Sequence, residues 1–326
     1  MLLHDLDPAW ESAEIATAVE GVQRLEAELR HEGHPVIAVP VTNDGLAKTL
    51  QPYRPDNYVV FNWCEGLPGR ARSEHMVARI LESLNFAYTG ACPEVLAFSW
   101  DKAASKELLN RSGIPTPAGM VLHPDEAGRW SRFPAIVKPS LEHCSLGISA
   151  DAVVMDRRKL KERIDFMREN FNQPALVEDF IDGREFHVTL WGNGNLHALP
   201  AAEMDFSAFN NIKDRLCTFD SKFTPGSLPY EKIELRIPAV LDETERKLLN
   251  QTAVRAFKVM GCRDYARIDI RLENGIYYVL DINPNPDFSP DTSSILAAEA
   301  SGLSYGAFAS CLVNLAARRH PVYSIE

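Results

Sequence analysis

The chain has 326 residues, enough for two or three domains with developed cores, and a formal net charge of −11. No block of Lys and Arg interrupts that acidity, which argues against a nucleic-acid partner, and no apolar run approaches the ~20 residues of a membrane span. Six scattered cysteines without a CxxC pair (Cys64, Cys92, Cys144, Cys217, Cys262, Cys311), and a start that runs into acids rather than an apolar signal, imply reduced thiols in a cytoplasmic protein and no zinc site.

After a short apolar start at Leu2-Leu3, residues 12–30 carry Ile15, Val19, Val22, Leu25 and Leu29 at near-helical spacing, and Gly33 stops them. Residues 36–41 read as a buried strand, 46–50 as a short helix and 58–62 as the next strand, the βαβ rhythm of a parallel sheet. The segment 61–69 follows the carboxyl end of that strand, where open α/β sheets hold ligands, and it makes Glu65 a candidate substrate contact. Any strand-to-helix turn needs a similar Gly/Pro-rich connection. A helix over 73–84 follows, and a first domain closes near Gly90.

Two helices read across 93–112, with Asp101 capping the second and Lys102 and Lys106 in its first turns. Lysines at a helix start oppose its dipole, so they suit either solvent or a bound polyanion. Ile114-Pro115-Thr116-Pro117 is a stiff linker into a second domain of mixed strands. Residues 135–139 form an apolar strand carrying Lys138, and the loop 140–149 after it suits a phosphate clamp. There is no GxxxxGK[ST] and no GxGxxG, which removes the usual support for P-loop and Rossmann readings.

Residues 175–188 give two strands around Asp182-Gly183, and a further hairpin turns at Asn193-Gly194. Glu178 and Glu185 flank the first turn; they can accept from an adenine amino group and ribose hydroxyls, or merely charge two strand ends. The polar stretch 211–227 reads as a loop that orders over a ligand. Asp242 and Glu245 form a capping box for a helix through Met260, with Gly261 beyond it, and a last helical stretch runs over 292–319 with a break near Gly302.

Between those helices lies a hairpin. Ala266, Ile268, Ile270 and Leu272 alternate with Arg267, Asp269 and Arg271; beyond Asn274-Gly275, Ile276, Tyr278, Leu280 and Ile282 alternate with Asp281 and Asn283. For both apolar sets to share one face the loop must be odd, so a three-residue loop 273–275 is expected. Arg267, Asp269, Asp281 and Asn283 then share the polar face. Two carboxylates and an amide oxygen crowded together suggest magnesium with phosphate oxygens; a solvated charged face is the alternative. Pro284 and Pro286 end the strand sharply.

In order, Asp101-Lys102, Ile136-Val137-Lys138-Pro139-Ser140, Val177-Glu178, Gly183-Arg184-Glu185-Phe186, Asp220-Ser221-Lys222-Phe223, Ala266-Arg267-Ile268-Asp269 and Asp281-Ile282-Asn283-Pro284 resemble the ATP-grasp superfamily, most closely the D-alanine–D-alanine ligases and their relatives. The resemblance runs from about Val36 to Ile295. It implies an N-terminal parallel α/β domain (1–90), linking helices (91–113) and an ATP-grasp fold of two α+β subdomains, 114–191 with a lid at 140–149 and 192–326 with the hairpin 266–287. It also implies ATP, two magnesium ions with manganese as an alternative, small carboxylate and amine substrates, and a homodimer.

By the same resemblance, Lys102 and Lys138 hold ATP phosphates, Glu178, Phe180 and Ile181 the adenine, and Glu185 the ribose. Ser145, Gly147 and Ser149 form the lid, Lys222 touches the γ-phosphate, Asp269, Asp281 and Asn283 bind metal, and Arg267 stabilises the reacting carboxylate. The implied activity is an ATP-dependent carboxylate–amine ligase working through an acyl phosphate; a kinase-like phosphotransferase and a non-catalytic nucleotide-binding module are alternatives.

The departures from the family concern metal and substrate. Asp281 stands where the family has glutamate, Cys144 where the D-alanine ligase has serine, Phe223 where it has tyrosine and Asp287 where it has glycine. With Glu65 and Ser289, the last three are the candidate substrate residues. They imply an acid or amine other than D-alanine, with Asp287 attracting an ammonium group, while the authentic D-alanine–D-alanine ligase stays open.

Overall fold

The computed structural model describes residues 1–143 and 145–324, with the side chains of Lys222 and Phe223 left out of the description. Cys144, Lys222 and Phe223, as expected lid and substrate contacts, therefore lie outside the described residues. The N-terminal unit contains β1 (Leu2–Asp5), α1 (Ser12–His31), β2 (Ala38–Val41), α2 (Leu46–Leu50), β3 (Val59–Trp63), α3 (Glu74–Ser83) and β4 (Ala87–Tyr88). Its sheet runs β2-β1-β3-β4 with every pair parallel. Alternate residues of one strand enter different cores: Val60 packs with Val39, Val77 and Leu81, while Phe61 packs with Leu25, Phe288 and Phe308. A sheet covered on both faces needs apolar side chains on both sides of each strand.

Two linking helices, α4 (Pro93–Ser99) and α5 (Lys102–Arg111), lead into a four-stranded sheet built from β5 (Gly119–Leu122), β6 (Ala135–Pro139), β7 (Val153–Val154) and β8 (Ala175–Asp179), backed by α6 (Arg157–Phe171). Its order is β5-β8-β6-β7, all antiparallel. Ala135, Val137, Ala175 and Val177 face Leu160, Ile164 and Met167 of α6. By the two-residue period of a strand, Lys138 and Glu178 are turned to the opposite face.

The C-terminal sheet takes β9 (Arg184–Trp191), β10 (His197–Ala198), β11 (Ala202–Asp205), β12 (Glu234–Arg236), β13 (Tyr265–Glu273) and β14 (Ile276–Pro284). Its path is β12-β11-β9-β13-β14, with β10 paired to β9 across the expected Asn193-Gly194 turn. The short helices α7 (Asp220–Phe223) and α8 (Leu228–Lys232) precede β12; α9 (Glu243–Met260) precedes β13; α10 (Ser293–Ala300) and α11 (Tyr305–Ala317) follow β14. The capping box of Asp242 and Glu245 starts α9, and Gly261 at φ 78° ends it. Its Leu249, Ala253, Ala256, Phe257 and Met260 bury Phe186, Val188, Ile268 and Ile270. The odd-numbered residues of β9 and β13 are left on the other face. Among the described residues no single helix is long and apolar enough to cross a membrane.

Two expectations are corrected. Strands β8 and β9 are not a hairpin: they belong to different sheets, so the chain passes between sheets within 180–183 and not near Gly192. The Asp182-Gly183 signal has another cause, because a Cβ on Gly183 would lie 1.9 Å from the backbone oxygen of Leu272. The β13–β14 loop is also not three residues long. Glu273 pairs with Ile276, and Asn274 and Gly275 form a two-residue turn at φ 51° and 78°. The odd residue enters farther along, as a bulge: Asp269 pairs with Asp281 but Ile270 with Val279, leaving Leu280 unpaired. Near the turn it is therefore Tyr277 and Val279 that are buried, not Tyr278, while Ile282 and Pro284 are buried beyond the bulge.

Candidate active site

The two antiparallel sheets face each other across a cavity of about 120 Å³. Lys138 and Glu178 come from the central sheet, Glu185, His187, Asp269, Arg271 and Asp281 from the C-terminal sheet, Lys102 from the start of α5 and Ser145 from the lid. Register explains the lower wall: Arg271 lies opposite Glu185, and Asp269 opposite His187 on one side and Asp281 on the other, while Arg267 and Asn283, opposite each other farther along the same face, do not line the cavity. The bulge at Leu280 is what brings Asp281 and Asn283 onto this face despite the even turn.

The charges close on one another. Arg267 grips Asp269 in a fork, Nε to Oδ1 at 2.7 Å and Nη2 to Oδ2 at 3.0 Å, and Asn283 Nδ2 donates to Asp269 Oδ2 at 3.0 Å. Lys102 donates to Asp281 Oδ2. Burial pushes the Asp281 carboxyl up, but Lys102 and then His143 outweigh it and hold it below its usual value. Glu178 is completely buried, with Lys138 at 2.8 Å and Lys106 at 2.9 Å; burial raises its pKa, and the two ammonium groups more than reverse that. Arg271 Nε donates to Glu185 at 2.7 Å and its Nη1 to the Ile181 carbonyl at 2.6 Å. Asp101 caps α5 by accepting from Ala104 N at 2.9 Å, and Lys102 N donates to Ser140 O at 3.2 Å, which ties the helix start to the lid loop.

Phe180 and Ile181 join the cavity wall, whereas Gly147 and Ser149 do not line it. Ser145, at φ 58°, donates to the Cys217 carbonyl at 3.1 Å, linking the lid to the polar stretch 211–227. Asp269, Asp281 and the Asn283 amide form a hard-oxygen set with two formal negative charges, which fits a divalent cation coordinated also by phosphate. The ammonium of Lys102 already sits on one of these carboxylates.

Glu65, Asp287 and Ser289 stand apart from this cavity, in a second acidic group. Asp5 Oδ2 accepts from Glu65 N at 2.7 Å, and Asp287 Oδ1 accepts from Ser289 N at 2.9 Å and Ser289 Oγ at 2.8 Å. Loss of solvation around the carboxyl, then Asp287 and Asp5, push Glu65 up to about 7, although part of the residue is exposed. Burial and then Glu65 raise Glu74 well above the usual range, although Asn285 Nδ2 donates to it at 3.2 Å.

Sequence reasoning named Lys106 with Lys102 as suiting a bound polyanion but not as a partner of Glu178, and it missed Asp5, Glu74 and His187 as neighbours of these groups. It also passed over Arg271, which the alternation of β13 does put on the site face.

Residues 116–314 match the family described as D-ala D-ala ligase C-terminus. The chain is 32% identical over 319 residues to an uncharacterised protein, y4sG, of Sinorhizobium fredii, covering 95% of this chain and 90% of that one. It is 32% identical over 237 residues to a D-alanine–D-alanine ligase of Alcanivorax borkumensis, covering 72% and 71%. The fold superimposes on the crystal structure of a D-alanine–D-alanine ligase from Bacillus anthracis complexed with ATP, with TM-score 0.74, 20% identity and 97% of each chain covered.

Proposed function

Because the chain belongs to the D-alanine–D-alanine ligase family of ATP-dependent, ATP-grasp ligases, we propose that it joins a carboxylate to an amine through an acyl phosphate, on amino-acid-like substrates other than two D-alanines. One observation carries this reading: two lysines from the central side and a carboxylate set from the C-terminal sheet converge on a single cavity between the two sheets.

In this reading Lys102 and Lys138, with Lys222, hold the phosphates of ATP; Glu178, Phe180 and Ile181 hold the adenine, and Glu185 the ribose. Asp269, Asp281 and Asn283 hold magnesium, as two ions, with manganese as an alternative. A divalent cation bound there supplies Lewis-acid neutralisation of phosphate charge. Asp281 is shorter than glutamate by one methylene, so it keeps the charge but would reach less far toward a bound cation.

The substrate carboxylate attacks the γ-phosphorus and ADP leaves; the amine then attacks the acyl carbon and phosphate leaves. Arg267, its planar guanidinium oriented by the fork on Asp269, stabilises the oxyanion formed in between. The lid with Ser145, Gly147 and Ser149, and the stretch 211–227, exclude water that would hydrolyse the acyl phosphate.

The acidic group of Asp5, Glu65, Glu74 and Asp287 supports an ammonium-bearing substrate on the N-terminal side. Its charge is unlike that of the glycine that stands at the Asp287 position in D-alanine ligases. The test is release of ADP and phosphate, with amide formed, across a panel of amino acids and amines. D-Alanine alone is expected to give less than about one-hundredth of the turnover of the best pair, a contrast of the size polar mismatches produce. Full turnover with D-alanine alone would instead establish the second reading, an authentic D-alanine–D-alanine ligase, which the Alcanivorax borkumensis relative favours.

A further inference from the structure

One turn beyond Lys102, α5 buries a second lysine that the proposed chemistry does not use. Lys106 is 8% exposed; its Nζ lies 2.9 Å from Glu178 Oε1 and donates to the Val279 carbonyl at 3.2 Å. The contact with Glu178 is an ion pair without hydrogen-bond geometry, whereas Lys138 makes a true hydrogen bond to Oε2 at 2.8 Å. Glu178 itself is 0% exposed, so both of its charge partners are protein groups.

The two lysines are not equivalent. Lys138 lines the cavity between the sheets, and Lys106 does not. Lys106 lines a separate cavity of about 210 Å³ behind it, with Ala103, Pro117, Gly119 and Met120. Glu178 borders both cavities. Lys106 therefore touches a residue of the nucleotide site, Glu178, without lining that site itself.

If ATP occupies the first cavity, Lys138 has two claimants, the carboxylate and a phosphate. Turning to the phosphate would strand a wholly buried carboxylate, unless another cation stays with it. Lys106 is that cation. Burial lowers its pKa to about 8 while Glu178 opposes the fall, so the ammonium persists at neutral pH. The repulsion between the two lysines also favours the departure of Lys138 once a phosphate can receive it.

We propose that Lys106 is a positioning residue: the standing counter-ion of Glu178, which frees Lys138 to exchange that carboxylate for a nucleotide phosphate. The proposal rests on the ATP-site reading above. It is tested by titrating magnesium and a non-hydrolysable ATP analogue into the full chain by calorimetry, for the wild type, Lys106→Met, Glu178→Gln and the double variant, with thermal melts to confirm folding.

Lys106→Met should weaken nucleotide binding about tenfold or more, since Lys138 becomes the sole partner of Glu178. In the Glu178→Gln background the same change should move Kd by less than about twofold, because a neutral amide needs no counter-ion. Wild-type affinity in Lys106→Met, or an equal loss in both backgrounds, overturns the proposal. Should Lys106→Met not fold, Lys106→Arg and Lys106→Gln are read in the same titration: arginine must retain affinity that glutamine loses, and any other pattern overturns it. A wild-type protein that fails to bind the analogue at all refutes the ATP-site reading instead, so the two failures are distinct.

Discussion

Glu185 shows how single residues of the site are held. It lies at 5% exposure with Arg271 on one oxygen, and His187 Nε2 stands 3.7 Å from the other. Burial raises its pKa, but Arg271 and then His187 overturn that and place the carboxyl well below the usual carboxylate range. In the unfolded chain it titrates near the ordinary value of about 4.3. Its contribution to stability is thus fully present above that value. It is lost as pH falls from there toward the folded pKa, because the unfolded chain takes up the proton first. We expect Glu185→Gln to cost about 3 kcal/mol at pH 7 and to flatten the fall of stability between pH 5 and pH 3. Urea midpoints at those pH values check both; an unchanged pH slope would show that the Arg271 pairing does not carry the shift.

At the scale of elements, the β13–β14 hairpin separates two jobs. Its tip sets the turn, with Asn274 and Gly275 both at positive φ, and its bulge at Leu280 sets the face of the proposed metal residues. Gly275→Ala is expected to cost about 1 kcal/mol through the strained backbone and to leave turnover within about twofold. Deleting Leu280 removes the extra residue and leaves a regular ladder in which Tyr277 and Val279 stay buried and Asp281 and Asn283 stay on the site face. Metal-stimulated ATP turnover should therefore stay within about tenfold of the wild type. ADP release at varied magnesium checks both variants; a loss of about a hundredfold or more after the deletion would mean that this register does not set the face of Asp281.

For the whole molecule, two sheets meet at the site, and the N-terminal unit is tied to the hairpin end by specific bonds. Asp264, fully buried at the start of β13, accepts from Gly90 N at 2.8 Å, from Asn193 Nδ2 at 2.7 Å and from both terminal nitrogens of Arg319. Asn285 Oδ1 accepts from Ala91 N at 2.7 Å. A ligand bridging the facing sheets should therefore stabilise the assembly and not one unit alone. Nucleotide with magnesium at a hundred times Kd is expected to add about 2.7 kcal/mol, read as a rise in Tm that a chelator diminishes. A nucleotide shift equally large with the chelator present would argue against Asp269, Asp281 and Asn283 as metal ligands.

By itself the sequence determined which residues are polar and which apolar along each strand, and that sufficed to put Arg267, Asp269, Asp281 and Asn283 on one face. It determined the α9 cap, the α5 cap and the parallel N-terminal sheet, because these rest on contacts within a few residues or on a local period. Only the tertiary structure decided where the odd residue of the hairpin goes, since Leu280 suits an apolar position in either register. It alone assigned β9 to the C-terminal sheet, because the Gly183 signal is the same for a tight turn and for close approach to the Leu272 backbone. The partners of Glu178 were likewise decided there. An ion pair forms between groups that the fold brings within a few ångströms, and no local pattern records that distance.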